Sequence, residues 1–124
     1  MIHPTAIVNK NSKISKNVEI GPYCIIGSDV EIGPNSKLHS HVSIKGKTKI
    51  GMNNEIFPFV SIGTSPQDLK YKGEKNSIII GDNNKLREYV NINPGTLQGG
   101  TITKLGNNNL LMVYCHIAHD CNIG

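Results

Sequence analysis

The chain has 124 residues, a formal net charge of +4 and only 5% aromatic residues. This length allows one domain at most. The modest charge, with no lysine and arginine run and no aromatic stacking motif, does not favour nucleic-acid binding, and no stretch approaches the roughly 18 apolar residues of a membrane span.

An aliphatic residue recurs every six positions along the chain. The first uninterrupted series is Ile2, Val8, Ile14, Ile20, Ile26, Ile32, Leu38, Ile44, Ile50, Ile56 and Ile62, and the period returns at Ile80, Leu86, Ile92, Leu105, Leu111, Ile117 and Ile123. A period of six fits neither an α-helix nor a strand in a flat sheet. It predicts an all-β fold, a left-handed parallel β-helix whose hexapeptide repeats form the sides of a triangular prism. Chance alternation in an all-β sandwich would not place an aliphatic residue at every one of these positions.

The other hexad positions support the same fold. With the aliphatic residue as position one, position two is often Gly, position three is often Pro, and position five is small or β-branched. Because Gly tolerates positive φ and Pro presets a turn, these residues predict the corners of the prism. Three hexads make one coil, so Ile2, Ile20, Leu38 and Ile56 should open successive coils.

The cysteines Cys24, Cys115 and Cys121 all fall at position five, which is predicted to point inward. Their odd number and the absence of zinc spacing predict reduced core thiols. The chain opens with no charged region followed by an apolar one. Together these features predict a cytoplasmic protein without membrane insertion.

The hexad period is interrupted twice, which predicts two loop excursions from a single β-helix domain over residues 1–124. The first loop spans about residues 63–79 and the second about residues 93–104. Long loops without a structure of their own are often functional. The first carries Asp68, Lys70 and Tyr71 and is therefore a candidate for substrate contact, with an ordinary solvated loop as the alternative.

Residues 116–121 read HIAHDC and contain the best candidate for a catalytic group. Two histidines three residues apart would suit a metal on a helix, but this segment is not predicted to be helical and no third ligand is evident, so no metal site is predicted. A neutral imidazole is suited to act as a general base near neutral pH. We therefore interpret His119 as a candidate base, with Asp120 beside it.

The chain resembles the UDP-N-acetylglucosamine O-acyltransferase family, which catalyses the first step of lipid A biosynthesis. The matching stretches are IHPTA, IGPYCIIG, SIGTSPQDLKY, IGDNNKLRE, QGG, TKLGNNNLLM and HIAHDC. They cover essentially the whole chain, and the QDLKY and HIAHDC stretches are the most specific.

The resemblance implies an enzyme that transfers an (R)-3-hydroxyacyl group from acyl carrier protein to the 3-hydroxyl of UDP-N-acetylglucosamine. The carrier-protein thioester is the acyl donor, and no cofactor is implied. The family acts as a parallel homotrimer with sites between its subunits. By resemblance the catalytic residues are His119, as the base, and Asp120, and the substrate-binding residues are Gln67, Asp68, Lys70 and His116.

The sequence differs from the family pattern in two ways, at residues 93–94 and at its C-terminal end. Asn93 and Pro94 stand where the family commonly has a His and an Arg. The family also continues beyond the position of Gly124 with further coils and a helical domain, so the chain is expected to be truncated at its C-terminal end. Two other functions remain open: a catalytically inactive β-helix module, or a hexapeptide acetyltransferase that uses acetyl-CoA.

Overall fold

The computed structural model describes residues 1–63, 77–92 and 102–112, together with the backbone of residues 116–117 and 122–123. In these residues the secondary structure consists of short strands, all paired in parallel, that form three sheets. Successive strands lie in different sheets, and each strand pairs with the strand three places along the chain. This is the parallel β-helix predicted by the hexad, and the all-β prediction is confirmed.

The three sheets are named in chain order. Sheet I consists of β1 (Ile7–Val8), β4 (Ile25–Ile26), β7 (Ser43–Ile44), β10 (Ser61–Ile62), β13 (Asn91–Ile92) and β16 (His116–Ile117). Sheet II consists of β2 (Lys13–Ile14), β5 (Val30–Ile32), β8 (Lys47–Ile50), β11 (Ser77–Ile80), β14 (Ile102–Leu105) and β17 (Asn122–Ile123). Sheet III consists of β3 (Glu19–Ile20), β6 (Lys37–Leu38), β9 (Glu55–Ile56), β12 (Lys85–Leu86) and β15 (Leu110–Leu111).

The interior of the prism is filled by the aliphatic residues of the hexad. Ile20 pairs with Leu38 and Leu38 with Ile56, while Ile2 forms a bridge to Ile20, so these residues open successive coils as predicted. From Ile20 to Leu105 the described members of the series are at most 2% exposed. Each such side chain contributes roughly 1.5–3 kcal/mol before the loss of chain entropy is subtracted. Within the described residues no helix is long and apolar enough to cross a membrane.

The glycines at position two have a different role from the predicted one. Among the position-two glycines of the described residues only Gly63 has a positive φ; positive φ occurs mainly at position four, on residues such as Asn17, Tyr23 and Asn83. A Cβ added at Gly21 or Gly33 would come within 2.6 Å of backbone atoms in the next coil. Gly is therefore needed at these positions for close packing between coils, and the corners are turned by Asn and aromatic residues at position four.

Position five is also less uniform than predicted, because three asparagines replace the expected small residue. The Asn54 amide nitrogen Nδ2 donates to the Gly81 carbonyl at 2.8 Å, and its Oδ1 accepts from the Asn84 backbone N–H at 2.9 Å. Asn84 repeats both bonds one coil further on, with Gly106 and with Asn109. Asn54 and Asn84 are at most 1% exposed, and the hydrogen bonds offset the cost of burying their amides.

Both predicted loops end earlier than the sequence indicated. β11 begins at Ser77 and β14 at Ile102, so residues 77–79 and 102–104 are strand and not loop. Ile78 and Thr103 are both 1% exposed, because they occupy the inward position five that precedes the next aliphatic residue. Of the predicted core thiols, Cys24 is fully buried, whereas Cys115 and Cys121 lie outside the described residues.

Candidate functional site

All six candidate site residues lie on or next to the chain crossings from sheet I to sheet II. In the lower coils these crossings are short, at residues 9–12, 27–29 and 45–46. In the upper coils the crossings at residues 63–76 and 93–101 are longer, whereas the crossing at residues 118–121 is as short as the one at residues 9–12. The two predicted loops and the HIAHDC segment therefore leave neighbouring strands of one sheet. We call this edge of the prism the loop corner.

The topology assigns the predicted side chains to two of these crossings. Gln67, Asp68 and Lys70 belong to the crossing after β10, and His119 and Asp120 belong to the crossing after β16. These five residues, like Asn93 and Pro94, lie outside the described residues, so their roles stay predictions. Only β13 separates β10 from β16 in sheet I, which puts the ends of these two strands about 10 Å apart.

His116, the sixth candidate, begins β16 and is in register with Asn91 of β13. Asn91 is in turn in register with Ser61 of β10. The Asn91 Oδ1 atom is buried, and it has no hydrogen-bond partner among the residues that the structure describes. Sequence reasoning missed Asn91, although its place at position six, beside the second loop, was visible in the hexad.

The point at which the first long crossing begins is fixed by Gly63. Its φ is +82°, and an added Cβ would overlap the carbonyl oxygen of Lys45 in the coil below. That carbonyl also accepts a hydrogen bond from the Thr48 hydroxyl at 2.9 Å. Only Gly fits this left-handed, closely packed position.

Sheet I differs from the other two sheets in its outward residues. Its strands contain no Asp, Glu, Lys or Arg, and their first residues are Ile7, Ile25, Ser43, Ser61, Asn91 and His116. In contrast, the outward positions of sheet II include Lys13, Glu31 and Lys49, and those of sheet III include Glu19, Lys37, Glu55 and Lys85. Ile7 and Ile25 are 66% and 40% exposed. The loop corner therefore borders an uncharged face.

The opposite edge of sheet I carries a stack of aromatic rings, which we call the aromatic ridge. It consists of Tyr23, His41, Phe59 and Tyr89, whose successive ring centroids are 5.1, 4.9 and 5.2 Å apart. All four residues have positive φ at position four of their hexads. Tyr23, Phe59 and Tyr89 remain about half exposed. Sequence reasoning missed this stack.

Among the described residues, no group of three His, Cys, Asp or Glu side chains could hold a metal ion. His39 Nε2 lies 2.8 Å from Glu55 Oε2 on the outer wall of the prism. Burial raises the pKa of the Cys24 thiol, an effect that backbone hydrogen bonds partly oppose.

Known proteins are similar in sequence to nearly all of this chain. Residues 11–46 match the family described as bacterial transferase hexapeptide (six repeats). The acyl-[acyl-carrier-protein]–UDP-N-acetylglucosamine O-acyltransferase of Rickettsia canadensis is 55% identical over 97% of this chain and 46% of its own length. The protein of the same name from Psychrobacter is 54% identical over 99% of this chain and 48% of its own length.

Solved structures agree with the sequence matches. The UDP-N-acetylglucosamine O-acyltransferase of Moraxella catarrhalis superposes with a TM-score of 0.96 at 54% identity, over 99% of this chain and 48% of that one. The UDP-N-acetylglucosamine acyltransferase of Francisella novicida gives 0.96 at 47% identity, over 100% of this chain and 45% of that one. These matches support the left-handed form of the β-helix. The chain spans about half the length of these relatives.

Proposed function

We propose that this chain, which resembles the N-terminal part of the UDP-N-acetylglucosamine O-acyltransferases, forms the β-helical half of an acyltransferase active site. The reaction is transfer of an (R)-3-hydroxyacyl group from acyl carrier protein to the 3-hydroxyl of UDP-N-acetylglucosamine, as the first step of lipid A biosynthesis. The observation that supports this most is the loop corner. The segment with Gln67, Asp68 and Lys70 and the segment with His119 and Asp120 both follow strands of sheet I.

The chemistry needs no cofactor, because a thioester is already an activated acyl donor. His119 removes the proton from the sugar 3-hydroxyl as the oxygen attacks the thioester carbonyl, and the thiolate of the carrier protein leaves. Asp120 stabilises the imidazolium that forms. Lys70 supplies a cation to the sugar nucleotide, and Asp68 accepts hydrogen bonds from its hydroxyls. Gln67 and His116 complete the binding surface.

The active assembly in this proposal is a cytoplasmic homotrimer that accepts acyl carrier protein as its second partner. Sheet I is the face on which a neighbouring copy packs. Its strands are uncharged, and it runs from the loop corner to the exposed aromatic ridge, whereas sheets II and III present charged residues to solvent. Interfaces that bury apolar and aromatic side chains and exclude charge from their centre are typical of stable oligomers. A copy packed there would close the loop corner from one side.

The proposed function is tested with a chimera in which residues 1–124 replace the matching half of the Psychrobacter relative. The assay follows labelled hydroxyacyl transfer from carrier protein to UDP-N-acetylglucosamine. The proposal predicts transfer by the chimera and little or none by the 124-residue chain alone. Binding of CoA rather than carrier protein would instead support the acetyltransferase, which would use acetyl-CoA on another acceptor. A folded chimera with no transfer at all would support the inactive module.

A further inference from the structure

The outward side chains of sheets II and III largely alternate in charge from coil to coil. On sheet III the in-register series is Glu19, Lys37, Glu55, Lys85 and, at its end, Leu110. On sheet II the series is Lys13, Glu31, Lys49, Ile79 and Lys104. Opposite charges on neighbouring strands stabilise a sheet, whereas like charges repel. Ile79 stands where the alternation requires an acid, and this break lies inside the series.

The break leaves several lysines close together without an acid between them. Ile79 pairs with Lys49 on one side and Lys104 on the other, so these two lysines are about 10 Å apart. Lys47 lies about 7 Å from Lys49 along the same strand. The three lysines are exposed, and Ile79 is partly exposed. Within the described residues none of the three lysines forms an ion pair. We call Lys47, Lys49, Ile79 and Lys104 the basic patch.

The basic patch lies where both long crossings rejoin the β-helix. Residues 63–76 lead directly into β11, and Ile79 is the third residue of that strand. Residues 93–101 lead directly into β14, and Lys104 is the third residue of that strand. A protein bound to the basic patch would therefore lie beside the loop corner. No residue of the proposed transfer reaction belongs to the patch itself.

The spacing and charge of the basic patch fit an acidic α-helix. Helix residues seven positions apart lie about 10.5 Å apart on one face, which matches the separation of Lys49 and Lys104. An apolar residue between two such acids would meet Ile79. An extended anionic surface such as a membrane fits less well. Asp29 and Glu31 are exposed one coil below the patch, and they would repel such a surface.

We propose that the basic patch is the docking site for acyl carrier protein, which binds it through an acidic helix. This inference rests on the proposed function, which requires the carrier protein to reach the loop corner. In the proposed assembly a neighbouring copy covers sheet I, whereas sheet II faces solvent. The lysines attract the acidic surface and orient it, and Ile79 supplies an apolar contact at the centre of the charged contacts.

The proposal is tested by titrating the 124-residue chain into fluorescently labelled holo acyl carrier protein and measuring anisotropy. At an ionic strength of about 0.1 M the proposal predicts saturable binding, and about 0.5 M salt should weaken it because exposed charges are screened. Lys49→Glu should weaken binding about 10-fold or more, since it sets like charges against each other. Lys13→Glu is the matched control. It makes the same change of charge on the same sheet, and Lys13 is also in register with Glu31. Its effect should stay within about 2-fold.

Variants at Ile79 test the break in the alternation itself. Ile79→Glu restores an acid between Lys49 and Lys104 and should also weaken binding about 10-fold or more. Ile79→Gln has nearly the same shape without the charge, so it should weaken binding less than Ile79→Glu. Circular dichroism confirms that each variant is folded, and Lys104→Glu replaces any variant that is not.

Four results would overturn the proposal. The first is no saturable binding of carrier protein to the 124-residue chain. The second is an equal effect of Lys49→Glu and Lys13→Glu. The third is unchanged affinity in folded Ile79→Glu. The fourth is tighter binding to phosphatidylglycerol vesicles than to carrier protein, with loss of vesicle binding in Lys49→Glu, which would assign the patch to a membrane surface.

The chimera separates this proposal from the proposed function. Transfer by the chimera with the same KM for carrier protein in Ile79→Glu would overturn the docking site and leave the function standing. Patch-dependent binding of carrier protein by the 124-residue chain, with no transfer by a folded chimera, would support the docking site and refute the function.

Discussion

At the scale of single residues, the interior asparagines show where the sequence pattern was incomplete. Asn84 joins three coils, since it bonds to Asn54 below it and to Gly106 and Asn109 above it. The hexad predicted only that position five points inward and is small. It could not reveal that a buried amide finds all its partners in neighbouring coils, because those partners depend on the register between coils.

Gly63 provides a direct stability test at this scale. Gly63→Ala should lower the free energy of unfolding by about 2 kcal/mol or more, since φ is +82° and the new Cβ would overlap the Lys45 carbonyl. Gly27→Ala is the matched control: its Cβ would meet nothing closer than 3.5 Å, and the effect should stay within about 1 kcal/mol. Urea unfolding measures both, and equal effects would contradict the structural role of Gly63.

Cys24 predicts a pH dependence of stability. Burial raises the pKa of its thiol in the folded state, so the unfolded chain loses the proton first as the pH rises. The contribution of this thiol to the free energy of unfolding is fully present below about pH 8.5, the ordinary pKa of a cysteine in the unfolded chain. It is lost as the pH rises from there through the pKa of the thiol in the folded protein.

The comparison is between wild type and Cys24→Ala, unfolded in guanidinium with reductant between about pH 7 and pH 10. Above about pH 8.5 the unfolding free energy of the wild type should fall more steeply, by up to about 1.4 kcal/mol per pH unit. Parallel profiles would show that the buried thiol does not carry this dependence.

At the scale of elements, the sequence predicted the strands but not which sheet has charged outward residues and which has none. The hexad located the inward aliphatic residues, the three-sided coil and the two interruptions. Assigning the intervening residues to faces needs the pairing of strands from distant coils, such as Ser61 with Asn91 across the first long crossing. Only then does sheet I emerge as the uncharged face and the ridge of Tyr23, His41, Phe59 and Tyr89 as one stack.

The proposed packing of copies on sheet I is tested by inserting charge. Ile25→Glu places a carboxylate on that face and should shift the oligomer toward monomer in light scattering at micromolar concentration, because a buried unpaired charge is costly. Ile79→Glu is the matched control on sheet II, where the register sets it between Lys49 and Lys104. It should leave the oligomer intact. Dissociation by Ile79→Glu alone would place the interface on sheet II.

At the scale of the whole molecule, the coil architecture places strands that are distant in sequence next to one another in one sheet. Residues 63–76 and 118–121 are far apart in sequence, yet they leave strands of the same sheet with one strand between them. The sequence identified Asp68, Lys70, His116 and His119 as candidates through local motifs and resemblance. It predicted the coiled fold, but not that both loops and the HIAHDC segment follow neighbouring strands of one sheet.

The most direct test of this account is the turnover of the chimera carrying His119→Ala. If His119 is the base, kcat should fall about 10²- to 10⁴-fold, whereas the affinity for UDP-N-acetylglucosamine should change little, because deprotonation matters in the transition state. Lys70→Ala, in the same background, should chiefly weaken sugar-nucleotide binding. An unchanged kcat in His119→Ala would contradict the account and leave His116 as the next candidate for the base.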